Sequence, residues 1–267
     1  MMNTDERHPL PAAMRGRVLE ELQRIEREHQ VTVLFACESG SRAWGFASPD
    51  SDYDVRFVYV HRPEWYLRVE EPRDVLERPL TDELDLCGWE LRKALRLVRK
   101  SNPTLLEWLD SPLVYRQDAE AVAGLRELAV AFYSPAAVRA HYLAMMKKNY
   151  RGYLMGDEVR YKKYFYALRP LCAVRWIDQG LGRPPMVFET LLEAMLDDPA
   201  QRAEIDELLR LKRRSGEAQS GLPRPVLQVL LEAELERAQT GSAPRTAAGD
   251  VGRLDGFLRK WVGMASV

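Results

Sequence analysis

Asp52 and Asp54 stand two residues apart at the head of the apolar run "DYDVRFVYV". A strand turns successive side chains to opposite faces, so these carboxylates project together while Val55, Phe57 and Tyr59 point away from Asp52. Two anions held this close repel unless a cation lies between them, and hard carboxylate oxygens favour Mg²⁺ or Mn²⁺ over zinc. Upstream, Gly40 and Ser41 follow another apolar run, "VTVLFACE". Glycine lets the backbone approach phosphate oxygens, and exposed amides and a hydroxyl donate to them. Taken alone, "SPDSDYD" also reads as a solvated turn capped by Asp52. With Gly40-Ser41 in front of it, the stretch reads as a phosphate-and-metal site.

A second concentration of chemistry lies between His141 and Pro185. Nine Lys or Arg residues face three acids there, a local balance of +6 in a chain of net charge -1, and six of the eleven tyrosines share the segment. Bases interleaved with aromatics suit a nucleotide's triphosphate and ring, or a nucleic-acid strand. On a helix, Lys162, Tyr166 and Arg169 would share one face, with Phe165, Leu168 and Cys172 on another. A solvated charged face with half-buried tyrosines is the competing reading. "KKNYRG", 147–152, suits an acceptor phosphate better than a nucleotide. No Walker-type loop, His-x-x-x-His pair or Gly-x-Ser-x-Gly elbow occurs, which leaves kinase, zinc and hydrolase chemistry without residues.

Several elements must position these groups. Val18, Leu19, Leu22 and Ile25 give an amphipathic helix over 15–29. "VTVLFACE", "DYDVRFVYV" and "ELDLCGWE" read as three strands. The proline-rich, charged stretch between the last two reads as an excursion with one helical turn in the middle. "ELRKALRLVRK" and nearly everything after Asp118 have helical period, punctuated by prolines that include Pro170. The fold class is therefore α+β, a small mixed sheet with helices followed by an all-helical part. The boundary falls between domains at 1–116 and 117–267, and 240–249 reads as a linker before a last helix.

The 267 residues suffice for two cores, and 46% hydrophobic with 30% charged residues is an ordinary globular composition. No apolar run is long enough to cross a bilayer and "MMNTDERHPLP" lacks a secretion signal, so a cytoplasmic protein without a membrane partner is expected. The scattered Cys37, Cys87 and Cys172 are expected as reduced, mostly buried thiols.

Gly40-Ser41, ten residues, then Asp52-x-Asp54 with apolar flanks resembles the signature of the DNA polymerase beta nucleotidyltransferase superfamily. "GSRAWGFASPDSDYDVRFVYV", "LDLCGWELRKALRLVRKSNPTLLEWLDSP" and "YKKYFYALRPLCAVRWI" are similar to its RNA-ligase-associated branch. The resemblance implies a third carboxylate from a later strand. Asp85 fits, as a lone acid in an apolar run where an uncompensated charge would cost several kcal/mol; Glu83 shares its face and competes. Glu38 is taken as structural or peripheral, and Trp44 and Phe46 as packing under the turn.

The resemblance further implies transfer of NMP from an NTP to a hydroxyl, with two Mg²⁺ or Mn²⁺ ions held by Asp52, Asp54 and Asp85 and pyrophosphate leaving. Gly40 and Ser41 would grip the β- and γ-phosphates. Arg42 would offset charge on the pyrophosphate, or else be a surface residue. A helical domain in such enzymes supplies a lysine and a tyrosine to the nucleotide, here Lys162 or Lys163 with Tyr164 or Tyr166, and Arg169 lies on the same helix. The implied acceptor is an RNA end in repair or processing. The alternatives are adenylylation of a protein or small-molecule hydroxyl, and a non-catalytic nucleotide-binding module.

Overall fold

A computed structural model describes residues 10–81, 83–215, 219–244, 246 and 249–264, excluding the side chains of 79–81, 215 and 264. The N-terminal stretch 1–9 and part of the expected linker lie outside them. Two compact units form, one of Met1–Ala43, Asp52–Tyr133 and Ala247–Val267, the other of Trp44–Ser51 and Ser134–Thr246.

The first unit opens with α1 (Ala12–His29), whose buried Met14, Val18, Leu22 and Ile25 recur every three or four residues along one stripe. Gln30, in the left-handed region at φ 52°, ends it. The chain continues through β1 (Val31–Glu38), the short α2 (Gly40–Ala43), β2 (Tyr53–His61), α3 (Pro63–Tyr66), β3 (Val75–Thr81) and β4 (Leu84–Glu90). It then forms α4 (Leu91–Arg99), α5 (Pro103–Leu109), β5 (Val114–Gln117) and α6 (Ala119–Ala131). The strands lie in the order β3-β4-β2-β1-β5. β2 and β4 run parallel and every other pair antiparallel, so the sheet is small and mixed as expected.

All three expected strands are present, together with β3 and β5 at the edges. β3 lies inside the stretch read as an excursion, and the expected helical turn is α3. Pro79 and the charges of "VLERPLT" mask the strand in sequence. An edge strand tolerates both, and the pairing with β4 is irregular between Arg78 and Thr81, the interval that contains the proline.

One sheet face packs on α1 through Val33, Val55, Phe57, Tyr59, Leu84, Leu86 and Tyr115. Burying each such side chain is worth about 1.5–3 kcal/mol. Phe57 pairs in register with Gly88, and a Cβ on Gly88 would come 2.1 Å from the Phe57 ring. Glu90 ends β4 and caps α4, accepting from the N–H groups of Arg92 at 2.8 Å and Lys93 at 3.3 Å.

The second unit contains α7 (Pro135–Tyr153), β6 (Val159–Arg160), α8 (Lys162–Asp178), α9 (Phe188–Met195), α10 (Pro199–Ser215), β7 (Ser220–Gly221) and α11 (Pro225–Thr240). Its core joins Phe165, Leu168, Leu171 and Cys172 to Leu191, Leu192 and Leu231, with Phe46 from the inserted segment among them. Phe46 stacks on Phe165 at 5.0 Å and meets Phe188 edge-on at 5.5 Å. Trp44 and Phe46 thus pack into the helical unit, not merely under their own turn. α8 runs through Pro170, as a shared face of Phe165, Leu168 and Cys172 requires; the loss of one backbone bond is tolerated in a segment buried from Tyr164 to Val174 apart from Tyr166.

The last helix, α12 (Val251–Met264), packs on α4 and α6 in the first unit. The division expected between 116 and 117 therefore falls after Tyr133, because β5 pairs with β1 and α6 packs against β1. The second unit's share of 117–267 is helical apart from the two-residue strands β6 and β7, which pair with each other. Among the described residues no single helix is long and apolar enough to cross a membrane. Cys37, Cys87 and Cys172 are free thiols, two of them buried.

Gly88→Ala is expected to destabilise the fold by about 1–3 kcal/mol through overpacking against Phe57. Denaturant midpoints check this, and adding Phe57→Leu should recover part of the loss.

Candidate active site

Parallel pairing of β2 with β4 sets Asp54 directly opposite Asp85. On the apolar face Tyr53, Val55 and Phe57 are buried with Leu84 and Leu86, so alternation sends Asp54, Arg56 and Asp85 to the other. The Arg56 Nη2 donates to Asp54 Oδ1 at 2.8 Å and to Asp85 Oδ2 at 2.7 Å. Its Nη1 donates to the carbonyls of Val55 at 3.1 Å and Asp85 at 3.2 Å. Burial works against the charge on Arg56, yet Asp54 and Asp85 outweigh it and raise its pKa. Glu83 is exposed at the entry to β4, so it is Asp85 that meets Asp54. Asp52 lies one residue before β2, and its carbonyl accepts from Arg42 Nε at 3.2 Å.

Asp54 is braced from the other side as well. Its carbonyl accepts from Ser39 N–H at 2.8 Å, and its N–H donates to Glu38 Oε1 at 2.8 Å. Gly40 has φ +58°, and a Cβ there would lie 2.0 Å from Asp54 Oδ2. Glycine is required at this position by backbone conformation and by the approach of the carboxylate. Glu38 is fully buried and also accepts from the Tyr115 hydroxyl. Burial pushes its carboxyl up to about 7, against the pull of those two bonds. Glu38 is thus structural in the sense expected, and its role is specific: it holds the Asp54 backbone.

Ser41 and Arg42 are both buried. The Arg42 guanidinium lies 3.7 Å over the Tyr53 ring, which removes the surface alternative for this residue. In the helical unit Lys162 opens α8 and is half-buried. The Lys163 Nζ stands 4.0 Å over the Tyr153 ring and 5.3 Å from that of Tyr166, and Tyr166 meets Trp44 edge-on at 5.4 Å. Tyr164 is buried, its hydroxyl accepting from Arg224 N–H at 2.8 Å. Arg169 departs from the expected open face. It is 2% exposed, donates from Nε and Nη2 to the Met186 carbonyl at 3.3 and 3.2 Å, and lies 4.7 Å over Trp44.

Residues 14–260 match the family described as "RNA repair pathway DNA polymerase beta family", RlaP. The chain belongs to this family. It is similar to a curated Bacillus subtilis (strain 168) protein named "Uncharacterized protein YcgL", 47% identical over 224 residues, 84% of this chain and 86% of the relative. Among solved structures it is similar to a nucleotidyltransferase-like protein from Exiguobacterium sibiricum 255-15, at 16% identity over 92% of this chain and 78% of that one. The TM-score of 0.31 is too low to argue from.

For an RlaP-family chain the donor chemistry of the site fits the implied ion, since aligned carboxylates on one sheet face offer the hard oxygens that Mg²⁺ and Mn²⁺ take. Among the described residues, however, no three His, Cys, Asp or Glu side chains form a group that could hold a metal. The Arg56 guanidinium, bonded to both Asp54 and Asp85, holds the place between them. Arg56 is the site residue that sequence reasoning missed. Its signal was present, a base two residues past Asp54 on the same strand face.

With the folded pKa of Glu38 above its ordinary value of 4.5, its contribution is complete below pH 4.5 and is lost as pH rises to about 7. In metal-free protein Glu38→Gln is expected to flatten the fall in stability across that window, by about 3 kcal/mol at most. Denaturation at a series of pH values reads it. Gly40→Ala is expected to cost about 1–2 kcal/mol for its left-handed backbone and to displace the Asp54 carboxylate; loss of activity beyond what the stability change explains would register the displacement.

Proposed function

We propose that this protein is a metal-dependent nucleotidyltransferase that transfers NMP from an NTP to a hydroxyl at an RNA end, with release of pyrophosphate. The observation that carries the reading is the in-register pairing of Asp54 with Asp85, next to a glycine turn against which Asp54 lies, in a chain of the RNA repair family. The acceptor oxygen attacks the α-phosphorus, the bond to the β-phosphate oxygen breaks, and the hydroxyl proton leaves toward Asp85. Asp52, Asp54 and Asp85 are proposed to hold Mg²⁺ or Mn²⁺, two ions as the superfamily resemblance implies. When bound, such ions offset phosphate charge and acidify the attacking hydroxyl. Gly40 and Ser41 face the triphosphate tail in this reading, and the buried Arg42 holds the turn by its bond to the Asp52 carbonyl.

RNA as acceptor is supported by a cleft of about 320 Å³ in the helical unit, lined by Arg151, Tyr153, Met155, Arg160 and Lys163 against a single acid, Glu158. Tyr153 and Met155 are exposed, an apolar platform among bases of the kind on which unpaired nucleotides stack.

Asp54→Ala is expected to leave the fold intact and to lower transfer of label from an α-labelled NTP by at least about 10²-fold, the scale of losing one electrostatic stabiliser. Wild-type transfer by this variant would end the assignment. Separate pools of RNA, DNA and protein identify the acceptor, and label found only in polypeptide would replace RNA. Arg151→Glu with Arg160→Glu should weaken single-stranded RNA binding and reduce its salt slope by about 1.4, at roughly 0.7 per phosphate contact.

A further inference from the structure

We infer that Arg56 is an internal counter-cation that competes with the divalent ion for Asp54 and Asp85, so that metal loading requires its guanidinium to release both carboxylates. The inference rests on the metal site proposed above.

Two carboxylates on adjacent parallel strands, paired in register, repel each other in a half-buried setting. The chain supplies its own cation two residues along β2, on the same face. One nitrogen, Nη2, takes an oxygen from each acid at 2.8 and 2.7 Å. These are the lengths of charge-assisted bonds. The second nitrogen is bonded to two backbone carbonyls, those of Val55 and Asp85, so the guanidinium is anchored rather than loosely drawn to the nearest charge.

Nη2 lies within bonding distance of Asp54 Oδ1 and Asp85 Oδ2, so a divalent ion that bridges those two oxygens needs the place it occupies. The guanidinium and the ion are therefore alternative occupants. Asp54 and Asp85 alone would carry a charge of -2; with Arg56 bonded to both, the pair carries -1. Arg56 thus stabilises the metal-free fold and weakens the hold on a free ion. The two effects share one origin, since removing the cation raises both the repulsion between the acids and their attraction for a metal. The arrangement favours loading with an ion that arrives already bound to a triphosphate, whose own negative charge can draw the guanidinium off.

The test is a Mn²⁺ titration of the full chain, with free ion followed by its paramagnetic resonance signal. Arg56→Met is expected to bind Mn²⁺ at least about tenfold more tightly than wild type, and Arg56→Lys, which keeps the charge, to stay close to wild type. Melting in EDTA and in Mn²⁺ supplies a readout independent of turnover. The Met variant should melt below wild type in EDTA and gain more from Mn²⁺ than wild type gains. Arg56→Gln takes the place of the Met variant should that one fail to fold. Equal Mn²⁺ affinity in wild type and the neutral variants would overturn the inference while leaving the metal site standing. If Asp54→Asn binds Mn²⁺ as well as wild type does, or no variant binds it, the metal site falls and the inference with it.

Discussion

Holding like charges side by side is the constraint around which the first unit is arranged. Asp54 and Asp85 meet because β2 and β4, which run parallel, are held in one register, since a shift of one residue would send either carboxylate to the apolar face. Parallel neighbours cannot be joined by a tight turn. The connection between them accordingly leaves the sheet through α3, returns as β3 along the far edge of β4, and only then enters β4. The Phe57–Gly88 pairing lies in the same register three residues further on. Apolar packing on one face and charge pairing on the other thus select one alignment.

The surroundings of Asp54 follow the same logic. A carboxylate aimed at a backbone turn leaves no room for a side chain there, which is why residue 40 is glycine. Glu38, at the end of β1, bonds to the Asp54 backbone and is itself tied by its carbonyl to the Ser111 hydroxyl at 2.6 Å. Its raised pKa reflects a carboxyl sealed from water beside another acid, one strand from the paired aspartates. Membership of the RNA repair polymerase beta family gives this cluster its chemical context.

Much of this arrangement was legible from local rules. Period-2 alternation placed Asp54 on the face away from the core, though Asp52 lies one residue before β2, beyond that rule's reach, and an acid isolated in "ELDLCGWE" pointed to Asp85 over Glu83. Arg56 was equally readable by the same alternation, but a search for metal ligands passes over a base. What stayed hidden depended on distant partners. β3 is disguised by a proline that only its edge position excuses, and β5 is too short to signal itself. Arg169 reads as a surface base because nothing in its neighbourhood announces the Met186 carbonyl that buries it. The division falls after Tyr133 instead of at 117 because β5 and α6 join β1 through contacts far back in the chain, and α12 rejoins the same unit from beyond residue 246.

The polypeptide leaves its first unit after Ala43 and re-enters at Asp52, leaves again after Tyr133 and rejoins at Ala247. Neither half is one continuous stretch, so no single cut liberates an intact fragment of either. The earlier detour separates the glycine turn from the strand it serves by eight residues anchored in the helical core. The glycine turn and its strand are thus joined through a segment whose Phe46 belongs to the other unit's core.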